Sequence, residues 1–443
     1  NWTLVILLLL AGTFVSRAWL GDTASSDRPR LIVTTVSNSR EVAEALPAKL
    51  QRQLVSSLVS FGSVTIVDRA YLDARTDQKG LFKLNVALVA SDGFVADWKL
   101  IDVSTGSIIW TGKEKLRSAD YPALRLAASS IASATLGQEG AFAVWLGANT
   151  DEDDPRRCLS SAQMRSTLIS DDSEKARRCL EAMTKTHPND ATVWALLSMT
   201  YYRLATGSAP WVRGEDKMYF ALQKSALARA AKLNPDTYYT RLAQLFDAQA
   251  RRDRDAFDAS ARRLLEQYGG DPSLRTQVAV KLVQAGRQEE GLKLIQSKAA
   301  MGVDLNAADK VALGLVHYFD GEYEKARPFF DRVSDNEAPL AVIIKVAIYG
   351  QLGLRDQARR SWSTLLKNYP DSPKALKEIV TRVSTPDDKA ELILDGLHPR
   401  TGKVAVRFRN PENAAEQWTG RGRQPLWVKN WVESGKSIDL LRV

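Results

Sequence analysis

His187-Pro188-Asn189-Asp190, Asn234-Pro235-Asp236, Gly269-Gly270-Asp271-Pro272, Val303-Asp304 and Tyr369-Pro370-Asp371 are five versions of one turn signal. Each is a turn-forming signal between two helices. With Asp335 added, the marks at Asp190, Asp236, Asp271, Asp304, Asp335 and Asp371 recur in five steps of roughly 36 residues, a period typical of stacked supersecondary units. From about Ser173 to Pro373 the sequence therefore predicts a helical array.

The grammar inside each period agrees with its length. Ala176 stands twelve residues before Pro188, Ala358 twelve before Pro370, and Ala326 reaches Ala338 by the same step. Leu180, Phe330 and Trp362 follow those alanines by four. A small residue admits close helix approach and the large one on the next turn fills the groove. Gly321-Glu322-Tyr323 and Gly353-Leu354-Arg355 supply the turn that folds one helix back on the next. The segment resembles tetratricopeptide repeats over nearly half of the chain. It departs from them at Gly291 and Phe257, where alanine is usual, at Pro328 inside a helix, and in an insertion around Ala205 to Glu215. The resemblance implies a scaffold that binds a protein partner in its groove and has no chemistry of its own.

The chain has 443 residues with 44% hydrophobic content, enough for two or three cores. A formal charge of +9 permits an anionic partner without demanding one. At the start, the run Leu4 to Val15 is apolar, Asn1 to Ser16 is free of charge, and Trp2, Arg17 and Trp19 flank it. This predicts a truncated membrane anchor over residues 1–20, with the hydrophobic region of a signal peptide as the alternative, followed by a polar linker over 21–29.

Residues 30–148 predict a small α/β domain. Leu31 to Val36 and Val64 to Asp68 are short β-branched runs, and between them Leu46, Leu50, Leu54 and Leu58 mark one face of a helix. Phe82 to Val89 and Phe94 to Val103 flank the turn Asp92-Gly93, and Ser107 to Thr111 follows the turn Ser104-Thr105-Gly106. This order, with the hairpin Leu100 to Trp110, resembles the TolB-like amino-terminal domain. That domain is found after a membrane helix and before tetratricopeptide repeats in bacterial transcriptional activators of the CadC type and in some adenylate cyclases. The resemblance implies a signalling domain before Asn1 and a soluble part outside the cytoplasm.

Asp151-Glu152-Asp153-Asp154-Pro155 opens the next segment, 155–397, as a solvated linker and helix start; the ligand spacing of a calcium loop is absent. Cys158 and Cys179 follow in twin contexts, Arg156-Arg157-Cys158-Leu159 and Arg177-Arg178-Cys179-Leu180. Two antiparallel helices turning near Ser170 set the two cysteines at similar heights, which leaves a disulfide open; two buried thiols acting as small hydrophobes is the other reading. The TolB-like relatives carry paired cysteines at this place.

From Thr401 onward the composition changes: eight basic residues stand against four acidic ones, together with Trp418, Trp427 and Trp431. The runs Val406 to Asn413 and Trp418-Thr419-Gly420-Arg421-Gly422-Arg423-Gln424-Pro425-Leu426-Trp427-Val428-Lys429, then Glu433 to Asp439, closely resemble the carboxy-terminal DNA-binding domain of the H-NS family of nucleoid-structuring proteins. The match covers about 40 residues and departs at Leu440 to Val443, where the family continues with a second acid and an aromatic. An Arg-Gly-Arg triplet suits the narrow minor groove of A·T-rich DNA: Gly422 lets the backbone approach the floor while Arg421 and Arg423 lie along it. Thr419 and Gln424 flank the triplet, and Lys429, Lys436, Arg407 and Arg409 are placed for phosphates. The tryptophans are expected to form the miniature core.

The sequence holds no Gly-rich phosphate loop, no paired metal-binding histidines and no nucleophile elbow; His187, His317 and His398 stand far apart. It predicts neither an enzyme nor a cofactor. The expected architecture is multidomain: an N-terminal membrane helix, a small α/β domain, an all-α tetratricopeptide-like solenoid, and a small α+β C-terminal domain over 401–443. The expected function is a membrane-tethered repeat scaffold whose tail binds A·T-rich DNA in transcription regulation or nucleoid association. The competing expectation is an extracytoplasmic sensor or scaffold of a signalling protein. The two disagree over which side of the membrane holds residues 30–443, because DNA is reached only from the cytoplasm.

Overall fold

A computed structural model describes residues 28–38, 42–68, 70, 78–91, 93–116, 118–137, 140–149, 158–159, 162, 172–206, 216–300, 303–335, 339–368, 376, 380, 387–397, 408–413, 415–418, 420 and 424–442. Its N-terminal part is one sheet with helices on it. Strands β1 (Arg30–Ser37), β2 (Thr65–Ile66), β3 (Leu81–Ala90), β4 (Phe94–Asp102) and β5 (Ile108–Leu116) take the order β2-β1-β3-β4-β5. β1 runs parallel to β2 and β3, and the β3-β4-β5 meander is antiparallel. Helix α1 (Ala45–Phe61) connects β1 to β2 and buries Leu46, Leu50, Leu54, Leu58 and Phe61, the four-residue leucine spacing acting as the core stripe. It stops at Gly62, whose φ of 64° is left-handed. Helices α2 (Tyr121–Leu136) and α3 (Ala141–Asn149) follow; Asp120 caps α2 by accepting from the Ala123 N–H at 2.9 Å. That bond holds the Asp120 carboxyl below its ordinary value.

The array comprises α4 (Asp172–Thr186), α5 (Ala191–Thr206), α6 (Asp216–Leu233), α7 (Tyr238–Ala250), α8 (Arg254–Tyr268), α9 (Pro272–Gln284), α10 (Gln288–Ala299), α11 (Ala307–Phe319), α12 (Tyr323–Phe330), α13 (Pro339–Gln351), α14 (Arg355–Asn368) and α15 (Asp387–Leu397). The recurring aspartates have a physical cause. Asp190 accepts from the Thr192 N–H (2.9 Å) and Asp271 from the Ser273 and Leu274 N–H groups (2.9 and 3.2 Å), so each caps the helix after it. Elsewhere the duty shifts by a residue or two, to Thr237 and to Asn306, which makes a capping box with Asp309. Asp335 instead binds Lys345 (2.9 Å) and Ser361 (3.0 Å), and Asp371 lies outside the described residues.

Gly291 is explained by close packing: a Cβ there would stand 2.6 Å from Val283 Cγ2 and 2.8 Å from the Ala279 carbonyl oxygen, so α9 and α10 approach more closely than alanine allows. Within the hairpins, Gly286, Gly321 and Gly353 take left-handed φ values of 79°, 77° and 72° at the turn. Between α7 and α8 the equivalent place is held by Arg252, at φ 55°.

The sheet domain and the first repeats share one core running from Leu31 to Leu282. At their junction Phe61 stacks on Tyr238 with ring centres 4.5 Å apart and meets Tyr268 edge-on at 5.9 Å. Arg28 pairs with Asp190, and Gly270 lies against the backbone of α2. A second core spans Ala279 to Ile393, so the two meet on α9. Within the second core α13 and α15 cross at Gly350 and Gly396, where a Cβ on Gly350 would stand 1.9 Å from the Gly396 carbonyl oxygen.

The fold expectation is corrected in one respect. The described structure is mostly helical, with a small N-terminal sheet and helical repeats, and among the described residues no helix is long and apolar enough to cross a membrane. Even the 18-residue α6 carries Asp216, Lys217, Lys224, Arg229 and Lys232. Residues 1–20, on which the anchor and the membrane localisation were expected, lie outside the described residues, as does the acidic run Asp151 to Pro155.

Candidate nucleic-acid interface

The described residues from Phe408 onward build a miniature unit: β6 (Phe408–Arg409), β7 (Gln417–Trp418), α16 (Leu426–Glu433) and a 3-10 turn (Ile438–Leu441). β6 and β7 pair antiparallel, Phe408 opposite Trp418. The loop between them is held by Asn410, whose N–H donates to the Glu416 carbonyl (2.9 Å) and whose side-chain amide donates to the Glu416 carboxylate (2.8 Å). Phe408, Val428 and Leu441 form the core, and Trp418, Trp427, Trp431 and Ile438 pack around it. Phe408 stacks on Trp418 with centres 5.3 Å apart. With so few apolar residues, large aromatic area is what makes a unit of this size foldable.

The departure from the family pattern at the end of the chain resolves structurally. Leu441 is 2% exposed and belongs to the core, while Arg442 bridges back to Phe408. The closing segment is a 3-10 turn capped by Ser437, whose hydroxyl accepts from the Asp439 N–H at 3.2 Å.

Of the residues read for DNA contact, Arg409, Gln424, Lys429 and Lys436 are exposed. Lys429 lies on α16, 3.7 Å from Glu433, an exposed pair of little energetic weight. Lys436 sits over the Trp431 ring, 4.4 Å from its centre, while the Trp431 indole N–H donates to the Ser437 carbonyl at 3.0 Å. The Lys436 charge is therefore positioned by an aromatic face, a contact that the sequence reading missed although Trp431 stands five residues before it. Arg407, Thr419, Arg421, Gly422 and Arg423 lie outside the described residues. The chain enters the Arg-Gly-Arg connection from Gly420, at φ 78°, and leaves it through Pro425, which is extended and precedes α16.

The tail matches the H-NS histone C-terminal domain. The match covers residues 403–443, and residues 347–372 match a tetratricopeptide repeat. The chain is 40% identical over 68 residues to the trans-acting regulatory protein HvrA of Rhodobacter capsulatus, an alignment covering 15% of this chain and 54% of that protein. It is 28% identical over 198 residues to cellulose synthase operon protein C of Pseudomonas fluorescens (strain SBW25), covering 42% of this chain and 14% of that protein. The chain thus spans about half the length of the first relative and a small part of the second. An H-NS-like domain on a tetratricopeptide-repeat scaffold is what these matches support. Neither family match reaches the sheet domain, so they give the TolB-like resemblance no support.

Cys158 and Cys179 are joined, with S–S 2.05 Å and Cα–Cα 6.1 Å, tying the chain before α4 to that helix. The bridge closes a loop of 21 residues. Chain entropy assigns such a crosslink about 3 kcal/mol. Reduction is accordingly expected to lower the melting temperature of the protein, read by calorimetry with and without reductant; equal melting temperatures would show that the bridge contributes nothing. Among the described residues no group of three or more His, Cys, Asp or Glu side chains is arranged to hold a metal ion.

Proposed function

We propose that the chain is a DNA-binding regulator in which the repeat array is a scaffold for a protein partner and the tail holds A·T-rich DNA through the minor groove. The observation that carries this reading is the match of residues 403–443 to the H-NS histone C-terminal domain, together with the sequence Arg421-Gly422-Arg423 in the connection from β7 to α16. The name of HvrA, a trans-acting regulatory protein, supports placing this chain in regulation. In this reading Arg421 and Arg423 enter the groove, Gly422 permits backbone approach, Thr419 and Gln424 contact the sugar-phosphate edges, and Arg407, Arg409, Lys429 and Lys436 meet phosphates. The minor groove distinguishes little beyond A·T from G·C, so the preference is for composition and shape.

The test is a titration of the full chain against A·T-rich and G·C-rich duplexes of equal length at two salt concentrations. Tighter binding to the A·T-rich duplex, weakening steeply with salt, is expected. Equal affinity for the two duplexes, or none for either, would refute the reading.

A further inference from the structure

Lys281, on α9, is 7% exposed. Among the described residues its ammonium meets no carboxylate and no hydrogen-bond acceptor; it lies 5.7 Å from the ring centres of both Tyr202, on α5, and Phe246, on α7. Ring faces attract a cation, but they do not neutralise it, and a buried ammonium without a counter-ion is costly. Desolvation lowers its pKa to about 8, which leaves it mostly protonated at neutral pH.

Lys281 lines a cavity of about 270 Å³ where the end of α7, the start of α8 and α9 come together. Arg252, Arg254 and Arg287 line it as well. Among the described residues Asp253 is the one carboxylate in the lining, and it is already engaged, by Arg251 at 2.8 Å and by the Ala256 N–H at 3.0 Å. Arg287 is held by Asp258 and Glu290. Gln249, also in the lining, accepts from the Tyr202 hydroxyl at 3.2 Å, which fixes one of the two rings facing the amine. Arg252 is the positive-φ residue at a turn whose counterparts are Gly286, Gly321 and Gly353, so the fold sustains a strained backbone where an arginine meets this cavity.

We propose that this cavity is a carboxylate-binding site, in which the carboxylate of an acidic side chain or of a small organic acid completes an ion pair with Lys281. One buried ammonium matches one monoanionic group, and Phe257, Ala248 and Ala285 give the cavity an apolar wall for the carbon stem. Among the described lining cations only Lys281 is buried, since Arg252 and Arg254 are exposed and Arg287 is held by carboxylates, so the deep end of the cavity offers one charge for one carboxylate. The site rests on the reading of the repeats as a scaffold and not on DNA binding by the tail, so loss of either leaves the other measurable.

The test is isothermal titration calorimetry on the full chain near pH 8, in two buffers of different ionisation enthalpy, with succinate, a capped hexaglutamate peptide and inorganic phosphate as probes. A bound carboxylate raises the pKa of the half-deprotonated Lys281, so binding takes up protons and the measured heat depends on the buffer. Lys281→Met is expected to weaken binding by about tenfold or more and to abolish the proton uptake, with a melting temperature equal to or above that of the parent. Tighter binding of hexaglutamate points to an acidic partner protein, and tighter binding of succinate to a free small acid. Should Lys281→Met not fold, Arg254→Gln at the exposed rim is expected to weaken binding a few-fold. No binding of either carboxylate, preference for phosphate, heat independent of the buffer, or unchanged affinity in the substituted chain would each overturn the proposal.

Discussion

Replacing Asp309 by alanine is expected to destabilise the repeat array by about 3–5 kcal/mol, the usual cost of stripping one partner from a buried ion pair. Asp309 is fully buried, and its carboxylate accepts from Lys298 Nζ (2.5 Å), the Thr276 hydroxyl (2.6 Å) and the Asn306 N–H (2.9 Å). Thr276 lies on α9, Lys298 on α10, and Asn306 caps α11, so one side chain ties three consecutive helices. The substitution leaves the ammonium of Lys298, a residue 2% exposed, without its carboxylate, and removes half of the capping box. Urea unfolding should show the loss as a shifted midpoint. A double replacement, Asp309→Leu with Lys298→Met, should recover much of it, because the unpaired charge is then gone. A loss below about 1 kcal/mol for Asp309→Ala would mean that the pair is solvated in solution and that the helices are held by their apolar faces alone.

Phe408→Ala is expected to unfold the tail while leaving the repeats intact. Truncating a buried phenylalanine costs about 3–5 kcal/mol, which is as much as a unit of this size commonly has. Phe408 is 8% exposed, stacks on Trp418 and packs with Val428 and Leu441, so its ring joins β7, α16 and the closing turn. Its cluster with Val428 and Leu441 is separate from the two larger cores. Limited proteolysis should therefore cut within residues 403–443 of the substituted chain and spare the array, whose melting temperature stays that of the parent. A tail that remains protected would show that its stability comes from somewhere other than this cluster.

The parts of the fold that were legible share a cause: a periodic pattern records a face that must be buried. Leu46, Leu50, Leu54 and Leu58 announced α1, and the aspartate marks announced the turns between helices, where several of them cap the helix that follows. Junctions left no such record. Phe61 falls outside the four-residue spacing, and nothing local tells that its partners are Tyr238 and Tyr268. Gly291 looked like a defect in a repeat, whereas it marks the closest approach of α9 and α10. Lys281 was invisible for the opposite reason. A lysine between Val280 and Leu282 on a helix looks solvated, and only the rings of Tyr202 and Phe246, contributed by two other helices, show that it is not. The membrane expectation rested on composition within residues 1–20, and the described helices that follow are too charged or too short to renew it. In the tail, the motif carried the reading because its chemistry is local: two arginines spaced by a glycine need no distant partner to present a basic edge.

The most direct measurement is the affinity of the full chain for an A·T-rich duplex before and after changing Arg421 and Arg423 together to alanine. Minor-groove insertion predicts a loss of roughly 100-fold, about 1.4 kcal/mol for each tenfold step. It also predicts that the remaining weak binding no longer distinguishes A·T from G·C, while the melting temperature of the protein stays unchanged. An unchanged affinity in the doubly substituted chain, or an A·T preference that survives it, would contradict the account.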